Sequence, residues 1–401
     1  YRLSAIGYRL SAIGYRLFLS EESCMSRSSA SAICATRHAV ILAAGESKRT
    51  RPLTSHRPKP LIPLLGQPLL AHILDEMVGL IERATLVVGY RAQDIVDTFG
   101  ETYRGIALRY VLQEQVNGTA GALLAVGQID EPFFLLYGDN LVAQADILGV
   151  CAERYSVAGM RVEDARSFGV LDIGANGRVR GIIEKPTDPP PSALANAGIY
   201  HLDAAAFPAL AQITPSPRGE YELTDLVGLL AAASPVGYHT CTGFWMPVGT
   251  PWEALSAAQF LLARRGSLSK EISPTARMGA GSRIIGPAVI GAGCVIGTGC
   301  VIEDSILEAG AEVGDGTVVR HAVIGAGARV GSGCVIESSW LDNGAIVGAG
   351  ASLRARVFDE LQPTANSAGL LSREQLCTRG AILGLGTTIA PGTTSVPGAM
   401  M

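Results

Sequence analysis

The sequence predicts a two-part chain, an α/β domain on a mostly parallel sheet followed by a parallel β-helix. Three observations carry this reading. Short apolar runs alternate with helical stretches between residues 38 and 140. Two polar groups follow directly on such runs, where ligands of open α/β sheets bind. From Ile272 onward, large aliphatic residues recur at six-residue spacing.

Residues 38–45 (HAVILAAG) read as a buried strand ending in Gly. Residues 69–81 have helical periodicity, 84–89 read as a second buried strand, and 94–99 as a helix. Residues 106–112 form a third strand, 120–126 a small-residue helix, and 132–137 a fourth strand running into Gly138, Asp139 and Asn140. The first polar group is the loop from Gly45 to Arg51. Successive backbone N–H groups in such a turn form an anion-binding concavity. Arg49 offers a fork for phosphate oxygens and Lys59 a point charge; the competing reading is a solvated basic loop. No GxxxxGK[ST] motif is present. The second group centres on Asp139, a carboxylate suited to Mg²⁺ beside substrate phosphates, or simply a turn-forming Asp before Asn.

Composition fits two buried cores, with 48 % hydrophobic and 17 % charged residues in a chain of 401. A net charge of −4 without a Lys/Arg stripe argues against a nucleic-acid partner. The absence of any apolar run of about 18 residues argues against a membrane span. Eight Cys occur without a CxxC pair or zinc spacing, so reduced thiols in a cytoplasmic protein are expected. Residues 1–7 (YRLSAIG) repeat as 8–14. Residues 1–36 are therefore expected to be a non-structural extension, with Met25 as a start and no secretory leader. Residues 37–250 would form the α/β domain, 251–267 a linker helix, and 268–401 the β-helix.

The ordered run from Leu42 through Gly45, Arg49, Pro52 and Thr54, then Arg57-Pro58-Lys59-Pro60-Leu61, resembles the signature of the sugar-1-phosphate nucleotidyltransferase family. The resemblance covers roughly residues 38–260 and implies a Rossmann-like fold. It implies that Gly45 and Arg49 hold the triphosphate and that Lys59 contacts phosphates at the reacting centre. It implies that Asp139 binds Mg²⁺. Residues 113–120 (QEQVNGTA) look like the base-recognition loop, with Gln113 on a pyrimidine edge and Gly118 and Thr119 beside it. Gln113 leans toward UTP or dTTP, although the GTAG run also suits guanylyltransferases. Gly169 would line the sugar pocket, Glu184 would bind sugar hydroxyls, Lys185 the sugar phosphate, and Asn196 the sugar. Singly, each has a plain alternative: Gln113 as a helix cap, Asn196 as a turn residue, Glu184 as a surface carboxylate.

Two departures stand out. Ser47 occupies the place of a second family Gly, and a left-handed backbone there costs about 1 kcal/mol or more. Pro247, in Trp245-Met246-Pro247-Val248-Gly249, stands where many members carry a second metal-binding Asp. The implied reaction forms a nucleotide sugar and pyrophosphate. The alternatives are a catalytically weak regulatory protein that binds nucleotide sugars, and a bifunctional enzyme with acetyl transfer in the β-helix.

In the second part, aliphatic residues fall at Ile290, Ile296 and Ile302, then Leu307, Val313 and Val319, and onward to Leu353. Each coil is thus 17 residues. Small residues, including Cys294, Cys300 and Cys334, recur four places later, as core filler. The pattern resembles left-handed β-helix domains, which implies a homo-oligomer such as a trimer. The register lapses near residues 354–379, around Pro363, Asn366 and Gly369, which reads as a loop or arm. His321 is the sole His of the repeats and reads as a solvated corner rather than an acetyl-transfer base.

Overall fold

The computed structural model describes residues 34–216, 219–358 and 365–401. The repeated heptads, Met25 and Pro363 lie outside the described residues. Among the described residues, Cys34 is already buried, and the Thr36 hydroxyl bonds His201 Nε2 at 2.8 Å.

Four parallel strands form the centre of the first sheet, in the order Ile106–Leu112, Arg83–Val88, His38–Ala43, Phe133–Tyr137. Each matches an apolar run of the sequence. Alternation sorts their side chains: Ala39 and Ile41 enter one core, Val40 the other. Beyond Phe133–Tyr137 the sheet turns antiparallel. Leu194–Leu202 pairs with Phe133–Tyr137, Ser156–Arg161 and Gly169–Ile173, the last of which pairs with Val179–Glu184. The sheet is therefore mixed, with a parallel half and an antiparallel half. The helix predicted over 69–81 stops at Leu69–Asp75; Gly79 then adopts φ +81° and the chain turns back, with Ile81 N–H bonding Met77 O.

The Pro251–Arg264 helix starts as its sequence dictates. Thr250 caps the Glu253 N–H, and Pro251 occupies a position that needs no donor. Its Ala257, Phe260 and Leu261 are buried in one core with Ile306, Val323, Trp340 and Ile382 of the β-helix. The helix is thus the packing layer between the two parts. Among the described residues no helix is long and apolar enough to cross a membrane.

The second part is a parallel β-helix. Glu312 pairs with Arg329 and Arg329 with Ile346, which is the 17-residue step. The first coil is one residue longer, since Arg277 pairs with Val295, and the register shifts between Ile285 and Ala288. Cys294, Cys300 and Cys334 are fully buried among Ile296, Ile302 and Ile336, which confirms them as filler. Ile346 next pairs with Thr388, so one coil carries an insertion, after which the register resumes. One corner stacks Asp304, His321 and Ser338, with φ of 44°, 48° and 39°. His321 Nε2 lies 3.3 Å from Asp304 Oδ2 in that stack.

The expectation that all Cys are reduced is corrected. Cys34 and Cys151 form a disulfide, 117 residues apart in sequence. Spacing rules find CxxC pairs, whereas this pair is brought together by the packing of the segment before the first strand.

Candidate active site

The carboxyl ends of the parallel strands open into a cleft of about 850 Å³. It extends across to the antiparallel half of the sheet. All eleven residues singled out in the sequence line this one cleft. A volume of that order suits a drug-sized or nucleotide-sized ligand.

On the parallel side, Gly45 follows the first strand. A side chain there would meet only Ser47 Oγ, at 3.9 Å, so Gly45 leaves open space for a ligand's approach. The left-handed position of the loop is Ser47, with φ 55° and ψ 49°. Ser47 is held there by its carbonyl, which accepts from Thr50 N–H at 3.0 Å and from Thr54 Oγ1 at 3.1 Å. Thr50 Oγ1 in turn donates to Gly249 O. Arg49 is exposed and makes no ion pair among the described residues. Lys59 is buried, and its Nζ lies 2.9 Å from Asp139 Oδ2. The Asp139 side chain keeps 40 % of its surface open.

The base-side loop is braced by its own amides. Gln113 Nε2 donates to Asn117 Oδ1 and Gly118 O. Gly118 has φ +108°, and a Cβ there would come within 2.4 Å of Tyr221 O, so only Gly fits. Thr119 Oγ1 accepts from Leu223 N–H, which fastens the loop to the helix Leu223–Ala233.

On the antiparallel side, a Cβ on Gly169 would press on Ile182 Cγ2 at 2.8 Å and Glu184 Oε2 at 3.2 Å. Lys185 takes φ +46° as its N–H bonds Phe168 O, and its Nζ lies 3.4 Å from Glu184 Oε1. Asn196 is already engaged, its Nδ2 donating to the Tyr200 hydroxyl and its Oδ1 accepting from Gly198 N–H. Burial pushes the Tyr137 phenol up to about 12, so this cleft-lining group stays neutral.

Pro247 lies in a short strand opposite Asn140, next to Asp139, and Val248 N–H bonds Asp139 O at 2.9 Å. No cluster of three His, Cys, Asp or Glu groups able to hold a metal occurs among the described residues. Sequence reasoning missed several cleft residues: Trp252 and Glu253 at the start of the linker helix, and Ala365, Leu376 and Arg379 of the β-helix insertion. The first two carried a legible signal, since Glu253 sits three places after the capping Thr250. The last three carried none.

Comparison with known proteins agrees with this geometry. The pattern of the family described as Nucleotidyl transferase matches residues 38–264, and that of the GMPPB C-terminal domain matches 269–360. The bifunctional protein GlmU of Methanococcus vannielii is 35 % identical over 229 residues, covering 56 % of this chain and 55 % of that protein. The UTP–glucose-1-phosphate uridylyltransferase AglF of Haloferax volcanii is 35 % identical over 233 residues, 56 % of this chain and 96 % of that one. A bifunctional sugar-1-phosphate nucleotidylyltransferase/acetyltransferase of Sulfurisphaera tokodaii is 32 % identical over 227 residues, 56 % of this chain and 55 % of that one. The chain spans about half the length of the GlmU proteins it matches. With a matching pattern over more than half its length and a cleft lined by the expected residues, the chain belongs to the nucleotidyl transferase family.

Proposed function

We propose that the protein transfers a nucleotidyl group from a nucleoside triphosphate, UTP or dTTP by the presence of Gln113, to a sugar 1-phosphate. The observation that carries this is the convergence of Arg49, Lys59, Asp139 and Lys185 on one cleft, three cations and a carboxylate where phosphates would meet. A phosphate monoester is already anionic. Its oxygen would attack the α-phosphorus in line, and the bond to the β-phosphate's bridging oxygen would break, releasing pyrophosphate. Such a reaction needs positioning and charge stabilisation more than proton transfer. Lys185 would place the attacking phosphate, while Arg49 and Lys59 would offset charge on the triphosphate.

Mg²⁺ fits this donor set. Asp139 offers one carboxylate, partly open to the cleft, and Mg²⁺ is commonly held by one or two carboxylates plus phosphates and water. When bound, the ion would neutralise charge at the α-phosphate and the leaving group. A triphosphate substrate would suit a reaction in the cytoplasm, and the β-helix would serve assembly into a homo-oligomer. One observation favours a second reading: Pro247 beside Asp139 removes an acidic side chain there, as a regulatory protein that binds nucleotide sugar without turning it over would tolerate. The corner stack accounts for His321, so acetyl transfer gains no support from it.

The test follows the label. With α-labelled triphosphate and a sugar 1-phosphate, the label should appear in a nucleotide sugar, and with γ-labelled triphosphate in pyrophosphate. Label in neither, from folded protein that still binds nucleotide sugar, would favour the regulatory reading.

A further inference from the structure

The insertion in the β-helix does not hang free. Asn366 forms a two-way backbone bridge with Trp245: Trp245 N–H donates to Asn366 O and Asn366 N–H to Trp245 O, each at 2.7 Å. Trp245 begins the short strand that pairs with Asn140–Val142, immediately after Asp139. The insertion therefore adds a rung to the two-stranded sheet beside the cleft. Asn366 Nδ2 also lies 3.1 Å from Met160 Sδ, in the strand that pairs with the Asn196 strand.

Trp245 passes the contact on. It is buried, its Nε1 donates to Ala197 O, and its ring lies 5.0 Å from that of Phe168. Phe168 precedes Gly169, and its carbonyl holds the Lys185 N–H at 3.0 Å while Lys185 sits at φ +46°. A non-Gly residue in that conformation costs energy and persists only where its surroundings hold it. The chain of contacts runs from the insertion through Trp245 and Phe168 to the backbone of Lys185. Leu376 and Arg379, in the same insertion, line the cleft themselves, with the Arg379 guanidinium 5.4 Å from the Trp252 ring centre. The matching family patterns end at residues 264 and 360, before Asn366, Leu376 and Arg379.

We infer that the insertion is a positioning element of the active cleft: its Asn366 bridge to Trp245 sets Phe168 and Lys185, and so the sugar-phosphate half of the site. The β-helix is thereby part of the site and not only a platform for assembly. The role as a sugar-phosphate determinant rests on the function proposed above, but the mechanical coupling does not.

The experiment uses the full chain and two variants. Asn366→Pro removes the N–H of the bridge, whereas Asn366→Ser keeps the backbone bridge and a side-chain turn acceptor. Amide hydrogen exchange without ligand is read first. In Asn366→Pro, exchange at Lys185 and its neighbours should quicken at least tenfold, while amides of Ala120 and its helix stay unchanged. Asn366→Ser should match wild type. Unchanged exchange at 168–185 in Asn366→Pro overturns the inference whatever the activity. In active enzyme, Asn366→Pro should raise the KM for sugar 1-phosphate about tenfold and leave the KM for triphosphate within twofold. Equal changes in both would reduce the insertion to a general stabiliser and overturn its positioning role. If wild type shows no turnover, the proposed function fails, and the exchange result still decides the coupling.

Discussion

Glu308 should make stability depend on pH, through the contact between the β-helix and the loop that carries Lys59. It follows the strand Val301–Leu307, and its Oε1 is buried with no hydrogen-bond partner among the described residues. Burial pushes its carboxyl up to about 7, with Asp342 adding to the rise and Arg57 opposing it. Arg57 itself bonds Asp342 at 3.0 Å, two residues before Lys59. The sign follows from proton uptake. Below the unfolded value of about 4.3 the acid is protonated in both states and costs nothing. Between there and about 7 the unfolded chain has lost the proton and the folded chain keeps it, so stability falls as pH rises. Above that range the full cost persists, roughly 4 kcal/mol at most at 1.36 kcal/mol per pK unit. Glu308→Gln keeps the shape and carries no such proton. Urea unfolding of both proteins at pH 5 and pH 8 isolates the effect, since every other group titrates in both. The variant should gain on the order of 2–3 kcal/mol over wild type between the two conditions. The same stability difference at both pH values would refute a buried, proton-holding Glu308.

Further outcomes are expected at the site. Asp139→Asn should cut turnover on the order of 10²–10³-fold, as loss of a charge-stabilising group does. Its melting temperature should barely move, because the amide oxygen can still accept from Lys59; a matched loss of stability would contradict that. Ser47→Gly should stabilise the chain by about 0.5–1 kcal/mol in thermal unfolding, the relief of a left-handed non-Gly residue less the entropy of Gly. No gain would mean the loop does not hold that conformation in solution. Pro247→Asp places a second carboxylate beside Asp139 and should lower the Mg²⁺ concentration for half-maximal turnover severalfold. A Mg²⁺ titration that overlays wild type would contradict the assignment of Pro247 as the missing ligand position.

Much of this architecture is legible locally. Residues 106–112 read as a strand and are one, because alternation and β-branching record burial on a sheet face. The coil register from Ile290 was readable because each rung repeats the same inward aliphatic and small residue. The left-handed Ser47 followed from a place where Gly is usual. What was not legible depends on distant pairing. Asn366 meets Trp245 across 121 positions through backbone groups alone, which leave no side-chain signature. The Cys34–Cys151 bridge is likewise set by the packing of two remote segments. The early end of the 69–81 helix was marked only by Gly79, in a stretch whose apolar spacing still reads as helical. Asn196 reads as a sugar contact and lines the cleft, and its bonds to Tyr200 and Gly198, which orient it there, are visible only in three dimensions.

The central claim is nucleotidyl transfer, and pyrophosphate release tests it most directly. Purified protein with Mg²⁺ is assayed with UTP, dTTP, GTP, ATP and CTP against a panel of sugar 1-phosphates. The account predicts release that needs both substrates, favours UTP or dTTP, and falls away in Asp139→Asn. No release with any pair, from folded protein that binds nucleotide sugar, would contradict it.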